Sequence, residues 1–286
     1  MKMSVKHLLS IVFCVITLSM AAQNDNFFEG DLVYRNFENY SKSVIRFSGG
    51  MAYNGARSVK VIMKGSNIHI IDETMKFHTL LLPSENKVII YSDYLKRGQQ
   101  FDYTNYVNTY LGQLSPNDNG GSDSDVKSSR TSTVEKTGKK IDYLGQECEI
   151  YKGVVTSTVE FCDPAVSNIE LWVSNKYSIY KSYWSFLYGV QVPGIVTKWS
   201  YDQKSKIPLM GTLSSYVASE LKEIHERTVS DDEMKVPDGY EIKISSSAFK
   251  VLGLYKDNKK YMMKNKIYPT QKESDVTYSI DDKWDF

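Results

Sequence analysis

Residues 59–91 read VKVIMKGSNIHIIDETMKFHTLLLPSENKVIIY. Val59–Lys64 and Asn67–Asp72 are short runs rich in β-branched residues, joined at Gly65-Ser66. Lys76–Leu82 and Lys87–Tyr91 flank Pro83-Ser84-Glu85-Asn86, which places Pro and Asn where turn geometry favours them. Four strands at this spacing predict an antiparallel meander.

Outward from this meander the pattern continues. Phe27–Phe37 and Val44–Phe47 precede it as β-like runs. Ile141–Tyr151, Val154–Phe161 and Ile169–Val173 follow, then Ile195–Tyr201, Gly211–Val217, Leu221–Val229 and Tyr240–Ile244. These thirteen runs, read as about eleven strands, predict a mainly β (α+β) fold: a curved antiparallel sheet or half-open β-barrel wrapped around one or two helices.

Two segments have helical spacing instead. Tyr103, Tyr106, Val107, Tyr110 and Leu111 fall at i, i+3, i+4, i+7 and i+8, on one helix face. Tyr177, Tyr180, Trp184, Leu187 and Tyr188 form a second stripe, closed by Gly189. Such stripes either pack on the sheet as core or lid a greasy cavity within it. Tyrosine suits both roles, because its ring is apolar and its hydroxyl can face water or a ligand head group. With 21 Tyr against 11 Phe and 4 Trp, this residue type dominates the aromatic content.

The N-terminus predicts export. Lys2 and Lys6 precede the apolar run Leu8–Leu18, and Ser19, Ala21 and Ala22 supply small residues for cleavage near Ala21/Ala22. This is the three-part layout of a secretory signal peptide, too short for a membrane span of about 20 residues. The expected location is the periplasm or the cell surface. Cys14 lacks the small preceding residue of a lipidation site. The 35 Lys+Arg and 34 Asp+Glu nearly balance, which argues against a nucleic-acid binder. Residues 22–249 are expected to form one domain, with 115–133 as a polar loop, because Val126 is its one apolar residue. Residues 250–286 are read as an extension, whose Tyr278, Ile280, Trp284 and Phe286 alternate like the last strand of an outer-membrane barrel.

Candidate chemistry fails motif by motif. His225-Glu226 starts like a zinc-protease helix, but Val229 stands where the second ligand belongs. Asn117–Asp125 resembles a calcium loop, yet Ser115 and Val126 occupy its first and twelfth positions. No nucleophile-elbow or phosphate-loop motif occurs. A turn at Glu73-Thr74 would set His69 opposite His78, an ordinary cross-strand contact without a third metal ligand. No catalytic residue, cofactor or metal is expected. After export, Cys148 and Cys162 remain and are expected to pair, with Gly153 bending the chain so that the next strand brings Cys162 back. A loop of this length would contribute about 3 kcal/mol. Two separate buried thiols are the alternative.

Further motifs carry a family resemblance. Gly145, Cys148 and Tyr151 in DYLGQECEIYKG form a Gly-x-x-Cys-x-x-Tyr pattern; in ELWVSNKYSIYKSYW a strand containing Trp172 leads into a helical crossing; Pro193-Gly194 starts the strand in VQVPGIVTKW; Pro237 and Gly239 precede the last strand in VSDDEMKVPDGYEI. In order and spacing these resemble uncharacterised secreted proteins of Gram-negative envelopes, in the superfamily of the LolA and LolB lipoprotein carriers. The resemblance covers about residues 27–246; Cys162 and the polar loop depart from it. It implies a half-open barrel around helices, with a hydrophobic cavity that takes acyl chains in the carriers. The expected function is non-catalytic binding of a lipid or acyl chain. Its cavity candidates are Tyr103, Tyr106, Tyr110, Trp172, Tyr180, Trp184, Leu187, Tyr188 and Trp199. A structural module that docks another envelope protein, or a small outer-membrane barrel, are the rival expectations.

Overall fold

The computed structural model describes residues 27–42, 54–110, 128–159, 164–180, 192–207, 211–246 and 249–267. The first half forms β1 (Gly30–Tyr40), β2 (Gly55–Lys64), β3 (Asn67–Asp72), β4 (Phe77–Leu82), β5 (Lys87–Ser92), β6 (Arg97–Asp102) and helix α1 (Tyr103–Tyr110). The second half forms β7 (Ser128–Tyr143), β8 (Gln146–Val159), β9 (Ala165–Ser174), β10 (Ile195–Ile207), β11 (Gly211–Glu226), β12 (Glu241–Ile244) and helix α2 (Phe249–Lys264). All twelve strands of the described residues join one mainly antiparallel sheet in the order β12-β6-β5-β4-β3-β2-β1-β11-β10-β9-β8-β7. Only β12 runs parallel to its neighbour, β6. The terminal strands β12 and β7 do not pair with each other, so the sheet is open, a curved half-barrel rather than a closed one.

The pleat sorts side chains onto two faces. Pairings Leu32↔Val61, Val61↔Ile70 and Ile68↔Leu81 put one apolar set on the inner face. Across the seam, Tyr34↔Leu221, Ser219↔Trp199 and Trp199↔Leu171 continue that face into the second half. Together with Val251, Leu254 and Met262 of α2 these form one buried core. The outer face of the first half is covered as well. A strap, Arg227–Tyr240, leaves β11 and crosses it, packing Val229 and Met234 on Ile62 and Ile71. Val236 and Tyr240 of the strap then pack on Leu80, Leu82, Ile89 and Tyr91. Burial on both faces explains why Leu80-Leu81-Leu82 and Val88–Tyr91 are continuous apolar runs rather than alternating ones.

Several expectations need correction. Residues 141–161 were expected to hold two strands with a bend at Gly153; instead β8 runs unbroken through it. Gly153 is there because a Cβ would lie 2.0 Å from the Thr133 carbonyl of β7, closer than any side chain permits. Likewise residues 211–226 form one long strand, β11, where two were expected. Residues 128–133 belong to β7 and are not loop. The domain does not end at 249, since α2 begins there and buries Val251, Leu254, Asn258 and Met262. The second aromatic stripe does not start a helix: Tyr177–Tyr180 lie in bends, with a bridge between Phe27 and Ser178. The remaining residues of that stripe, the Val44–Phe47 run, most of the polar loop and the 278–286 alternation lie outside the described residues.

Candidate functional site

The inner face is built from the alternating residues of ten strands, β8 to β6, and two helices bear on its first half. Asp102 ends β6 and caps α1, its carboxylate accepting from the Asn105 backbone N–H at 2.9 Å. Asn86, held in the left-handed region, accepts from the Thr104 backbone N–H at 3.0 Å. These contacts seat Tyr103 in the core and bring Tyr106 to 5.9 Å from the Phe101 ring. Helix α2 is anchored by Asn258, fully buried, which accepts from Ser92 Oγ at 2.6 Å and donates to the Met75 carbonyl at 3.0 Å. Tyr255 stacks on Phe77 with ring centroids 4.0 Å apart.

The cavity candidates divide. Tyr103 and Trp199 belong to the inner-face core, and Tyr106 packs against it. Tyr110 ends α1, and its side chain is outside the described set, as are Trp184, Leu187 and Tyr188 altogether. Tyr180 is 54% exposed and stacks on Phe27 at 4.0 Å. Trp172 is on the other face: its cross-strand partner is Lys198, whereas Trp199 pairs with Leu171. There its indole N–H donates to Glu170 at 3.1 Å, its ring meets Tyr143 edge-on, and Lys198 Nζ lies 4.8 Å from its centroid. Trp172 is thus a support of the outer face and not a lining residue.

A polar group that periodicity did not single out sits toward one end of the inner face. Arg57 pairs with Glu38 and Asp72, each at 3.0 Å, and all three side chains are largely buried. Burial pushes the Glu38 carboxyl up, against the pull of Arg57, and pushes the neighbouring Tyr40 hydroxyl well up. Tyr201 adds a hydroxyl that accepts from Ser167 at 3.0 Å and donates to Gln203 at 2.8 Å. An amphiphile on this face would meet apolar side chains along most of its length and hydrogen-bonding groups at one end. Those groups include two carboxylates around a single guanidinium.

Cys148 is a buried free thiol, 3.3 Å from Thr197 Oγ1. Burial pushes its pKa up. Cys162 lies outside the described residues. The bend at Gly153 on which the expected pairing relied is absent, because β8 stays extended from Cys148 to Val159.

On the outer face the two histidines do approach, though not as direct partners. His69 pairs with Leu80 and His78 with Ile71, so the imidazoles meet diagonally, His69 Nε2 to His78 Nδ1 at 2.9 Å. No group of three or more His, Cys, Asp or Glu side chains able to hold a metal occurs among the described residues. No helix among them is long and apolar enough to cross a membrane. A groove of about 220 Å³ opens between α2 and the β6–β12 edge, lined by Arg97, Lys243, Lys250, Glu241 and Asp257, a mixed-charge set unlike an acyl-chain cavity. No protein-family model matches the chain, and no curated protein matches it.

Proposed function

We propose that this is an exported, non-catalytic protein that binds a hydrophobic ligand, a lipid or an acyl chain, on the inner face of its open sheet. One observation carries the reading: a single cluster of buried apolar side chains runs across that face from Phe101 and Val88 through Tyr34 and Trp199 to Tyr151 and Val155. A sheet that does not close leaves room to admit a ligand at its rim, and apolar concavities are the default sites of such folds. The likeness in motif order to the LolA and LolB carriers points the same way, as an analogy of fold. The signal-like N-terminus supports a location in the envelope.

The test is direct. The mature chain, purified without detergent, is expected to release bound lipid on extraction and to take up a fluorescent long-chain fatty acid or lysolipid with saturable binding. If it yields no lipid by mass spectrometry and binds neither probe, the reading fails.

A second reading, an interaction module of the envelope, draws on β7. This edge strand is 16 residues long and largely exposed where its side chains are described. Free strand edges recruit extended segments of other chains. A crosslinked partner lost on mutating β7, with no ligand found, would favour it.

A further inference from the structure

The strap is tied to the sheet through His69, and two neutral imidazoles cannot satisfy the hydrogen bonds found there. His69 Nδ1 lies 2.8 Å from the Glu233 carbonyl, which can only accept, so Nδ1 carries a hydrogen. His78 Nε2 lies 3.0 Å from Asp93 Oδ2. Burial raises the Asp93 pKa, but hydrogen bonds from Tyr240 and His78 more than offset it, so the carboxylate is ionised and accepts. His78 Nε2 therefore carries a hydrogen too. The remaining nitrogens, His69 Nε2 and His78 Nδ1, face each other at 2.9 Å, and in neutral rings both would present lone pairs. Tyr91 Oη, 3.3 Å from His69 Nε2, can donate to that nitrogen but leaves the two lone pairs opposed.

We propose that His69 and His78 share one additional proton, carried on His78 Nδ1 and donated to His69 Nε2, and that this protonated pair is a pH-sensitive latch holding the strap on the sheet. The surroundings suit a cation on His78. Asp93 neutralises it, and the Tyr91 ring stacks on it with centroids 4.5 Å apart and 10° between planes, a cation–π geometry. His69 suits the acceptor role, because burial and the neighbouring His78 charge hold its own pKa at about 4. The other charged and titratable groups facing the pair are Glu233 on the strap, paired with Arg227, and Tyr240, which donates to Asp93 and accepts from Lys96 at 2.8 Å. Both cations act at one remove, through Glu233 and Tyr240. Removing the shared proton sets two lone pairs against each other and loosens the Glu233 contact. Adding a second proton sets two imidazolium ions against each other. The latch therefore holds between these limits.

Long-range proton–nitrogen NMR of the full mature chain at pH 6.5 tests the proton directly. The expected spectrum has one neutral ring protonated at Nδ1, His69, and one doubly protonated ring, His78. Two neutral rings overturn the proposal, as does a metal ion in the native mass, lost on chelation, occupying the proton's place. Hydrogen exchange tests the latch. Corrected for intrinsic rates, amides of residues 228–240 are expected to open about tenfold more often once alkali removes the shared proton. In His78→Gln, whose amide donates without titrating, that increase is expected to vanish. Exchange that is independent of pH in the wild type overturns the latch, and the NMR measurement stands whether or not the variant folds.

Discussion

Trp172 and Trp199 lie on neighbouring strands, one residue out of register, and therefore point to opposite faces of the sheet. Both are almost fully buried, Trp199 among the inner-face core and Trp172 beneath Tyr143 and Lys198. Burial alone does not distinguish a lining residue from an outer support, whereas strand parity does. Trp199→Ala is expected to lower stability by about 3–5 kcal/mol and to change ligand uptake in whatever fraction folds. Trp172→Phe keeps an aromatic ring but a smaller one, loses the bond to Glu170, and is expected to lower the melting temperature by a few degrees while leaving uptake unchanged. Thermal melts paired with the fluorescent-lipid assay check both. Equal effects of the two variants on uptake would contradict the assignment of faces.

Asn258 is the polar anchor of the C-terminal helix, and it tests where the domain ends. Asn258→Leu leaves the buried Met75 carbonyl and Ser92 hydroxyl without that partner, at a cost of about 2 kcal/mol. Truncation after residue 248 also uncovers the Phe77 ring on which Tyr255 stacks, and is expected to abolish cooperative unfolding. A truncated chain that melts like the full one would show that α2 is an appendage after all.

The helix was hard to read for a physical reason. Its buried positions 251, 254, 258 and 262 follow helical spacing, but one of the four is Asn, and lysines fill the remaining faces. The central meander was legible because both cues agreed there: apolar runs of strand length, and turn residues between them. Strand β6, RGQQFD, buries only Gly98 and Phe101, and β7 is an edge strand whose described residues are largely exposed, so neither shows the alternation that a half-buried strand requires. The histidine contact was anticipated from the Glu73-Thr74 turn, but β3 and β4 are joined by four residues, 73–76, which moves His69 opposite Leu80. The inner Glu38–Arg57–Asp72 group had no local signal, because its members come from three strands and meet only through the register.

Cys148 makes a prediction about redox state. Its thiol is buried on β8 with a raised pKa, so maleimide is expected not to label it in the native chain even at pH 8.5. Denaturation without reductant is expected to expose it to labelling, read by peptide mass spectrometry. Recovery of Cys148 only after reduction would show that it was paired. Cys148→Ser is expected to cost about 1 kcal/mol or less, since the hydroxyl can keep a hydrogen bond to Thr197.

Acid is expected to unfold the chain in two separable steps, both at the strap. His69 has its pKa held at about 4 by burial and by His78, below its usual value of 6.5. A base depressed in the folded state takes up its proton first in the unfolded chain, so the contribution of His69 to stability is full above pH 6.5 and falls as the pH drops toward 4. That shift corresponds to a loss on the order of 3 kcal/mol. Glu233 follows. Hydrogen bonds from Arg227 and then from Ser230 hold its carboxyl at about 2, so its contribution is present above pH 4.5 and is lost as the pH falls through 2. Arg227 also bonds Asp31, whose carboxylate stays ionised despite burial. Urea unfolding from pH 7 to pH 2.5 separates the two steps. His69→Gln is expected to flatten the slope between pH 6.5 and 4, and Arg227→Met the slope below 4.5. Arg227→Met also lowers stability at pH 7, because it leaves the buried Asp31 carboxylate with Lys60 as its one remaining ion-pair partner among the described residues. A single acid transition that neither variant alters would mean that the strap carries no part of the pH dependence.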